Sequence, residues 1–174
     1  MKFIYKRIND KGLSLVELIV VVAIMTILTG AAGFGISLIS GKPAQAAANK
    51  WTAKLERIRT VGMGKNEATV GLEYRSDGIY LTESVNGSAG ETNKACGANV
   101  DCTMTIGSGD DLNVSGHSII VIFSRSDGSV KSILVDGVEN YSKCNDVKFV
   151  FKKAKVTYEV HIVPATGRVV CYKV

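Results

Sequence analysis

The hydrophobic pattern begins with an uninterrupted run of uncharged, mainly apolar residues from Leu18 to Ile39. As an α-helix these 22 residues would span roughly 33 Å at about 1.5 Å each, enough to cross a bilayer core. The preceding residues, 1–12, form a short basic segment. Because basic flanks stay on the cytoplasmic side, the pattern predicts a single-pass membrane segment with the C-terminal part of the chain outside.

A second helical pattern follows the interruption at Gly41-Lys42-Pro43. Apolar residues recur there at spacings of three and four, which predicts one apolar stripe on an amphipathic helix that ends at Gly62 and Gly64. The pattern therefore predicts one long helix, apolar over 13–41 and amphipathic over 42–64, which Pro43 could kink. The stripe consists of Ala44, Ala47, Trp51, Leu55 and Ile58.

From residue 67 onward the hydrophobic period changes to two, which is typical of β-strands. Asp-Gly pairs at 77–78 and 127–128 and the turn Pro164–Gly167 are hairpin signals. Residues 86–116 are rich in Gly, Asn, Ser and Thr and are interpreted as a loop region, long for a structureless loop, with a short strand at Thr103–Ile106. The fold class is thus α+β, a long N-terminal helix packed on antiparallel β-sheet, with 65–174 the globular domain. The predicted strands are Ala68–Arg75, Ile79–Val85, Ser118–Arg125, Ser129–Val135, Val147–Lys152, Val156–Val163 and Arg168–Lys173.

Charge and motifs narrow the function classes. The 174-residue chain has a formal charge of +5, of which the first twelve residues carry +3. The remainder is close to neutral, so it would bind polyanions only through a local patch. No Gly-x-Ser-x-Gly, phosphate-loop or His-rich motif occurs, so we expect no enzyme and no cofactor. His117 and His161 are interpreted as a loop and a strand histidine without a catalytic role.

The four cysteines, Cys96, Cys102, Cys144 and Cys171, all lie beyond the apolar run. An even number in an exported domain predicts disulfides, Cys96 with Cys102 by proximity and Cys144 with Cys171 by elimination. No Cys-x-x-Cys pair exists and the histidines are not at ligand spacing, so no metal is expected. The oxygen-rich segment Gly107–Asn113 lacks EF-hand spacing and is interpreted as turn residues.

The most informative motif is Lys11-Gly12-Leu13-Ser14-Leu15-Val16-Glu17-Leu18. A glycine closes the basic segment, an apolar residue follows, and one carboxylate lies just inside the apolar helix. Burying a charge in mid-bilayer costs on the order of 3 kcal/mol, so Glu17 needs an explanation. One explanation is a carboxylate that reaches the lipid headgroups. The other comes from the type IV prepilin signature, which this motif resembles and which type IV pilins and type II secretion pseudopilins share.

The resemblance implies that 1–12 is a leader peptide, that a membrane-embedded prepilin peptidase cleaves between Gly12 and Leu13, and that Leu13 is N-methylated. It also implies that helices 13–41 bundle into a filament core, where Glu17 neutralises the N-terminal ammonium of a neighbouring subunit. A charge inside an apolar bundle must be paired. The implied partners are other pilin subunits, the prepilin peptidase, the cytoplasmic membrane and the pilus assembly platform. The chain would be a membrane protein before assembly and part of an extracellular pilus or pseudopilus afterwards.

Two departures and one rival interpretation accompany the resemblance. The residue after the cut is Leu13 rather than the usual Phe, and glycines at 30, 33 and 35 stand where many pilins have a proline. Glycines can also weaken a helix locally. The rival interpretation is an Ala44-Gln45-Ala46 signal peptidase site that releases a soluble domain. Its apolar region would be about 27 residues long and would contain Glu17, unlike ordinary signal peptides.

A looser likeness covers the rest of the chain. A helix with Arg57 and Arg59, a central Val121–Gly128 segment and a final Thr166-Gly167-Arg168-Val169 follow the order of the H-type minor pseudopilins and related minor pilins. Some of those relatives serve DNA uptake through a C-terminal Gly-Arg-x-Arg, of which Arg168 keeps only the first arginine.

The alternative function, a DNA-binding minor pilin, depends on a basic patch. Lys152, Lys153 and Lys155 lie close together in a predicted turn, and a hairpin could bring Arg168 and Lys173 onto the same side. One arginine supplies one phosphate contact, whereas tight non-specific binding draws on several. A structural filament subunit without nucleic acid is therefore the favoured interpretation.

Overall fold

The computed structural model describes residues 14–64, 67–140 and 146–174, with the side chains of 30–40 outside the description. The chain divides into two compact units between Ile39 and Ser40. The described part of the first unit is helix α1, which runs from Leu15 to Ser40. Within the described residues, no helix combines the length and the hydropathy needed to cross a membrane.

Helix α2 runs from Lys42 to Met63 at the start of the second unit. Pro43 lies in its first turn, where backbone N–H groups have no intrahelical acceptor, so the lack of an N–H on proline costs no hydrogen bond. The break between the helices is the single residue Gly41, which has a turn conformation. The buried face of α2 contains the whole predicted apolar stripe. Its buried residues are Ala44, Ala47, Ala48, Trp51, Leu55, Ile58 and Gly62.

The described residues after α2 form eleven β-strands. They are β1 (Ala68–Arg75), β2 (Gly78–Val85), β3 (Ser88–Gly97), β4 (Asp101–Ile106), β5 (Leu112–Asn113), β6 (Ser118–Phe123), β7 (Val130–Val135), β8 (Val138–Glu139), β9 (Val147–Lys153), β10 (Val156–Val163) and β11 (Arg168–Lys173). All pairings are antiparallel, and they make two sheets. Sheet A has the order β3-β2-β1-β6-β7-β8, and sheet B has the order β11-β10-β9-β4-β5. The α+β class is confirmed, with two sheets where the sequence suggested one and with two helices, separated at Gly41, where it suggested one long helix.

The hydrophobic core lies between α2 and the two sheets. Helix α2 packs on β1, β2 and β3 of sheet A and on β9, β10 and β11 of sheet B. Trp51 of α2 meets Phe149 of β9 edge to face, with ring centroids 5.2 Å apart. The alternation predicted for β9 holds, because Val147, Phe149 and Phe151 are all fully buried. One amphipathic helix is thus the shared hydrophobic partner of both sheets.

The loop predicted over 86–116 was wrong, because this region contains β3, β4 and β5. The short strand expected at Thr103–Ile106 is the end of β4. Strand β3 escaped prediction because its residues from Ser88 to Lys94 are all exposed, so no apolar alternation marks them. Backbone pairing with β2 creates the strand, with register shifts after Ile79 and Thr82.

Turns against α2 mark two ends of the second unit. At the N-terminal end of α2, Val156 of the β9–β10 hairpin packs against Gly41. A Cβ on Gly41 would lie 2.7 Å from Val156 Cγ2. At the C-terminal end, Arg59 Nε donates a hydrogen bond to Gly128 O, in the β6–β7 turn, at 3.3 Å. We call the first the basal end and the second the distal end.

Candidate processing and assembly site

The processing residues predicted from the motif adjoin the first described residue. Gly12 and Leu13 lie outside the described residues, as does the leader 1–12. The scissile bond and the methylated amine therefore stay predictions. The described part of the motif begins at Ser14 and includes Glu17.

Ser14 caps the start of α1. Its Oγ accepts a hydrogen bond from the Glu17 N–H at 3.2 Å, and its carbonyl oxygen accepts one from the Leu18 N–H at 3.1 Å. Ser14 and Glu17 therefore occupy the N-cap and third helical positions, the spacing of a capping box. This Ser-x-x-Glu signal is present in the sequence, but the pattern of apolar residues alone does not reveal it. The carboxylate of Glu17 lies in the first turn, where the helix dipole favours a negative charge.

Helix α1 exposes apolar side chains on all sides. Every described side chain from Ser14 to Thr29 is exposed. The most exposed of the large apolar ones is Leu15, at 75% of its accessible surface. The two hydroxyl side chains are satisfied within the helix itself. Thr26 Oγ1 donates to Ala23 O at 2.8 Å, and Thr29 Oγ1 donates to Met25 O. The segment thus presents almost only hydrocarbon to its surroundings.

The cysteines form no disulfide within the described residues. Cys96 and Cys102 are buried free thiols, in β3 of sheet A and β4 of sheet B. Burial raises the pKa of both thiols, so both are protonated at neutral pH. Cys171 is a partly exposed thiol whose Sγ lies 3.9 Å from Asn49 Oδ1. Cys96, Cys102 and Cys171 are thus not bonded to one another in this structure, and Cys144 lies outside the described residues. The two predicted disulfides stay predictions for the exported protein.

The two histidines occupy the predicted kinds of position, His117 in a loop before β6 and His161 in β10. His161 belongs to a polar network on sheet B. Its Nδ1 lies 2.8 Å from Asp146 Oδ2, and its Nε2 lies 2.6 Å from the Tyr172 hydroxyl. Burial raises the pKa of the neighbouring Glu159, but hydrogen bonds from His161 and Tyr172 outweigh that effect and lower it overall. The network links β10 to β11 and to the residue before β9.

The basic residues considered for DNA binding lie at opposite ends of sheet B. Arg168 pairs with Val163 at the distal end of β10, whereas Lys153 pairs with Val156 at its basal end. Seven residues of strand separate these positions, roughly 23 Å at 3.3 Å per residue. The hairpin therefore brings Lys173, opposite Tyr158, toward the lysine turn, but it does not bring Arg168 there. The predicted grouping was wrong for Arg168.

The described site is thus an exposed apolar helix with one carboxylate in its first turn. The family model of the prokaryotic N-terminal methylation motif matches residues 7–33, which include Gly12, Leu13 and Glu17. This motif is the prepilin signature that type IV pilins and pseudopilins share. Proteins with the motif are structural rather than enzymatic. No curated protein and no solved structure matches the chain significantly.

Proposed function

We propose that the chain is a structural subunit, a major or minor pilin or pseudopilin, of an extracytoplasmic type IV pilus-like filament. The observation that carries the proposal is the exposed apolar surface of α1. In water such a surface is unfavourable, so it needs a bilayer before assembly and neighbouring helices afterwards. Type II secretion is one setting for such a filament, and a type IV pilus is another.

The energies favour burial of α1 together with its charge. Eleven large apolar side chains between Leu15 and Leu28 are 46–75% exposed. At about 1 kcal/mol each, covering them gains on the order of 10 kcal/mol. Bringing the Glu17 carboxylate along costs on the order of 3 kcal/mol if it stays unpaired. Burial therefore wins even with an unpaired carboxylate, and pairing the carboxylate decides which neighbours are accepted.

The proposed pairing partner of Glu17 is the amine that cleavage creates on Leu13. In an apolar bundle, an unpaired ammonium and an unpaired carboxylate are each destabilising, whereas together they neutralise one another. The amine of a subunit that docks beside Glu17 of its neighbour meets this requirement. The pairing therefore acts as a register between subunits, in which a shifted neighbour leaves two charges buried without partners.

Mass spectrometry and filament incorporation test the proposal. The intact mature protein is expected to lack residues 1–12 and to carry one added methyl group. A mature chain that begins at Ala47 would show signal peptidase release and refute it. Glu17→Ala is expected to be inserted and cleaved normally but to be depleted from sheared filaments. Glu56→Ala, which removes an exposed carboxylate on α2, is the matched control and is expected to assemble normally.

The DNA-binding minor pilin is the second candidate, and the observation that favours it is the group of Lys152 and Lys153 at the end of β9 with Lys155 in the turn that follows. Arg168, at the other end of sheet B, does not add to that group. A mobility-shift titration of the detergent-solubilised full chain with duplex DNA at physiological salt separates the candidates. Micromolar or tighter binding, abolished by neutralising the three lysines, would replace the purely structural function with DNA capture.

A further inference from the structure

The basal end of the second unit gathers lysines from three separate segments. The packing of Val156 on Gly41 holds the β9–β10 turn, with Lys153 and Lys155, beside the first turn of α2. Lys42 is the first residue of that helix and is exposed. Residues far apart in the sequence thus bring their ammonium groups to the same end of the domain.

The end of β3 joins this group through α2. Lys50 Nζ donates to the carbonyl oxygens of Lys94 and Ala95 at 3.0 and 3.1 Å. Lys50, Lys94 and Lys153 all lie close enough to the Cys96 thiol to act on it electrostatically. We call the whole group the basal lysine cluster. It consists of Lys42, Lys50, Lys94, Lys152, Lys153 and Lys155.

Acidic residues offset only part of this charge. Lys94 Nζ lies 2.7 Å from Asp77 Oδ2, and Asp101 pairs in register with Lys152 across β4 and β9. Against six lysines these two carboxylates leave an excess of about four positive charges at the basal end, enough to attract a polyanion. The cluster is therefore a local basic patch on a domain whose total charge is close to neutral.

We propose that the basal lysine cluster docks on the anionic phospholipid headgroups at the outer surface of the membrane that holds α1 before assembly. The inference rests on the proposed function. The chain connectivity supports it, because the apolar run ends at Ile39 and Lys42 follows three residues later. At 3.8 Å between consecutive Cα atoms, Lys42 lies within roughly 11 Å of the end of that run. This distance is comparable to the Debye length of about 8 Å at physiological salt, so the attraction reaches the headgroups.

A lipid surface fits this cluster better than a nucleic acid. The tether presents the lysines to headgroups continuously, whereas DNA would have to reach them in the narrow space beside the membrane. Each lysine near an anionic surface favours the docked state by about fivefold. The docking would hold the globular domain against the membrane until neighbouring subunits replace the lipid contacts.

Lysine acylation of the full chain in lipid nanodiscs tests the inference. Reaction rates are measured for each lysine by peptide mass spectrometry, in phosphatidylcholine discs and in discs containing phosphatidylglycerol. We expect Lys42, Lys152 and Lys155 to react at least threefold more slowly in anionic discs, and the difference to vanish at high salt. Lys131 is exposed near the distal end and is the internal control, with an unchanged rate.

A paired substitution sharpens the test. Neutralising Lys153 and Lys155 to Gln is expected to reduce the lipid-dependent protection of Lys42, whereas Lys131→Gln leaves it intact. Equal lysine rates in both lipids, with the chain inserted in both, would overturn the docking while leaving the proposed function intact. A chain that enters neither disc would refute both. Protection of the same lysines by micromolar duplex DNA in phosphatidylcholine discs would overturn the inference in favour of a nucleic acid.

Discussion

At the distal end, the β6–β7 turn at Gly128 contacts the β10–β11 turn at Gly167, and we expect this contact to contribute to the stability of the domain. Gly167 has φ of 63°, in the left-handed region, and a Cβ there would lie 1.8 Å from Gly128 O. That oxygen also accepts the hydrogen bond from Arg59 Nε. Gly167→Ala therefore combines backbone strain with the displacement of a turn that α2 holds in place.

The magnitude follows from three contributions. A non-glycine residue in left-handed geometry costs about 1–2 kcal/mol. Moving the Gly128 carbonyl away from Arg59 loses a hydrogen bond of about 1 kcal/mol, and overpacking of the two turns adds about 1–3 kcal/mol. We expect Gly167→Ala to lower the free energy of unfolding by about 4 kcal/mol.

Gly137→Ala is the matched control. Gly137 has φ of 79°, yet a Cβ there would meet nothing within 4 Å. Gly137→Ala introduces the same backbone strain without a steric clash, so we expect it to lower the free energy of unfolding by only about 1–2 kcal/mol. The difference between the two variants isolates the contact between the turns.

Urea unfolding of the full chain in detergent measures both variants. Trp51 is the single tryptophan and is fully buried in the core, so its fluorescence reports on the second unit. At an m-value of about 2 kcal/mol/M, Gly167→Ala is expected to lower the urea midpoint by about 2 M. Equal shifts for Gly167→Ala and Gly137→Ala would show that backbone geometry alone matters and would refute the packing argument.

Three further predictions concern charges and thiols. Glu83 is buried, and its Oε1 lies 2.9 Å from Lys54 Nζ. Glu83→Gln leaves that ammonium without its carboxylate and is expected to lower the free energy of unfolding by about 3 kcal/mol in the same urea assay. Arg57 is the exposed partner of Glu83 and provides the control: Arg57→Gln is expected to lower the free energy of unfolding by less than about 1 kcal/mol. The backbone N–H and hydroxyl of Ser129 lower the pKa of Asp127 to about 2, so its contribution is present above about pH 4 and is lost as pH falls toward 2. Asp127→Asn is expected to flatten the stability curve in that window, and an unchanged slope would contradict it. Non-reducing peptide mapping is expected to find linked cysteine peptides in exported protein, and four free thiols would refute both predicted bonds.

The elements that the sequence predicts best are those with one solvent-exposed face and one buried face. Strands β1, β10 and β11 match the predicted bounds, because apolar and polar residues alternate along them or glycine turns flank them. Strand β3 lacks this signal because its residues from Ser88 to Lys94 are exposed on both faces, and its structure depends on pairing with β2. Such a strand is invisible to a pattern that measures only burial.

The candidate site divides in the same way. Glu17 could be singled out because one carboxylate in an apolar run is a local anomaly. The basal lysine cluster could not, because the contact between Gly41 and Val156 joins positions that lie far apart in the sequence. The separation of Arg168 from the lysine turn depends on the strand register, which fixes which end of β11 faces which end of β10.

The internal hydrogen bonds of Thr26 and Thr29 have a consequence for how α1 changes surroundings. Each hydroxyl already donates a hydrogen bond to a carbonyl oxygen about one turn earlier in the helix. These side chains therefore need no polar partner from the surroundings, whether lipid or protein. Moving it from one to the other exchanges hydrocarbon contacts for hydrocarbon contacts of similar strength. The transfer is then nearly isoenergetic along most of the helix, so its direction is set at the charged end and by the globular domain. A filament built on such a helix is expected to be as ready to release subunits as to accept them.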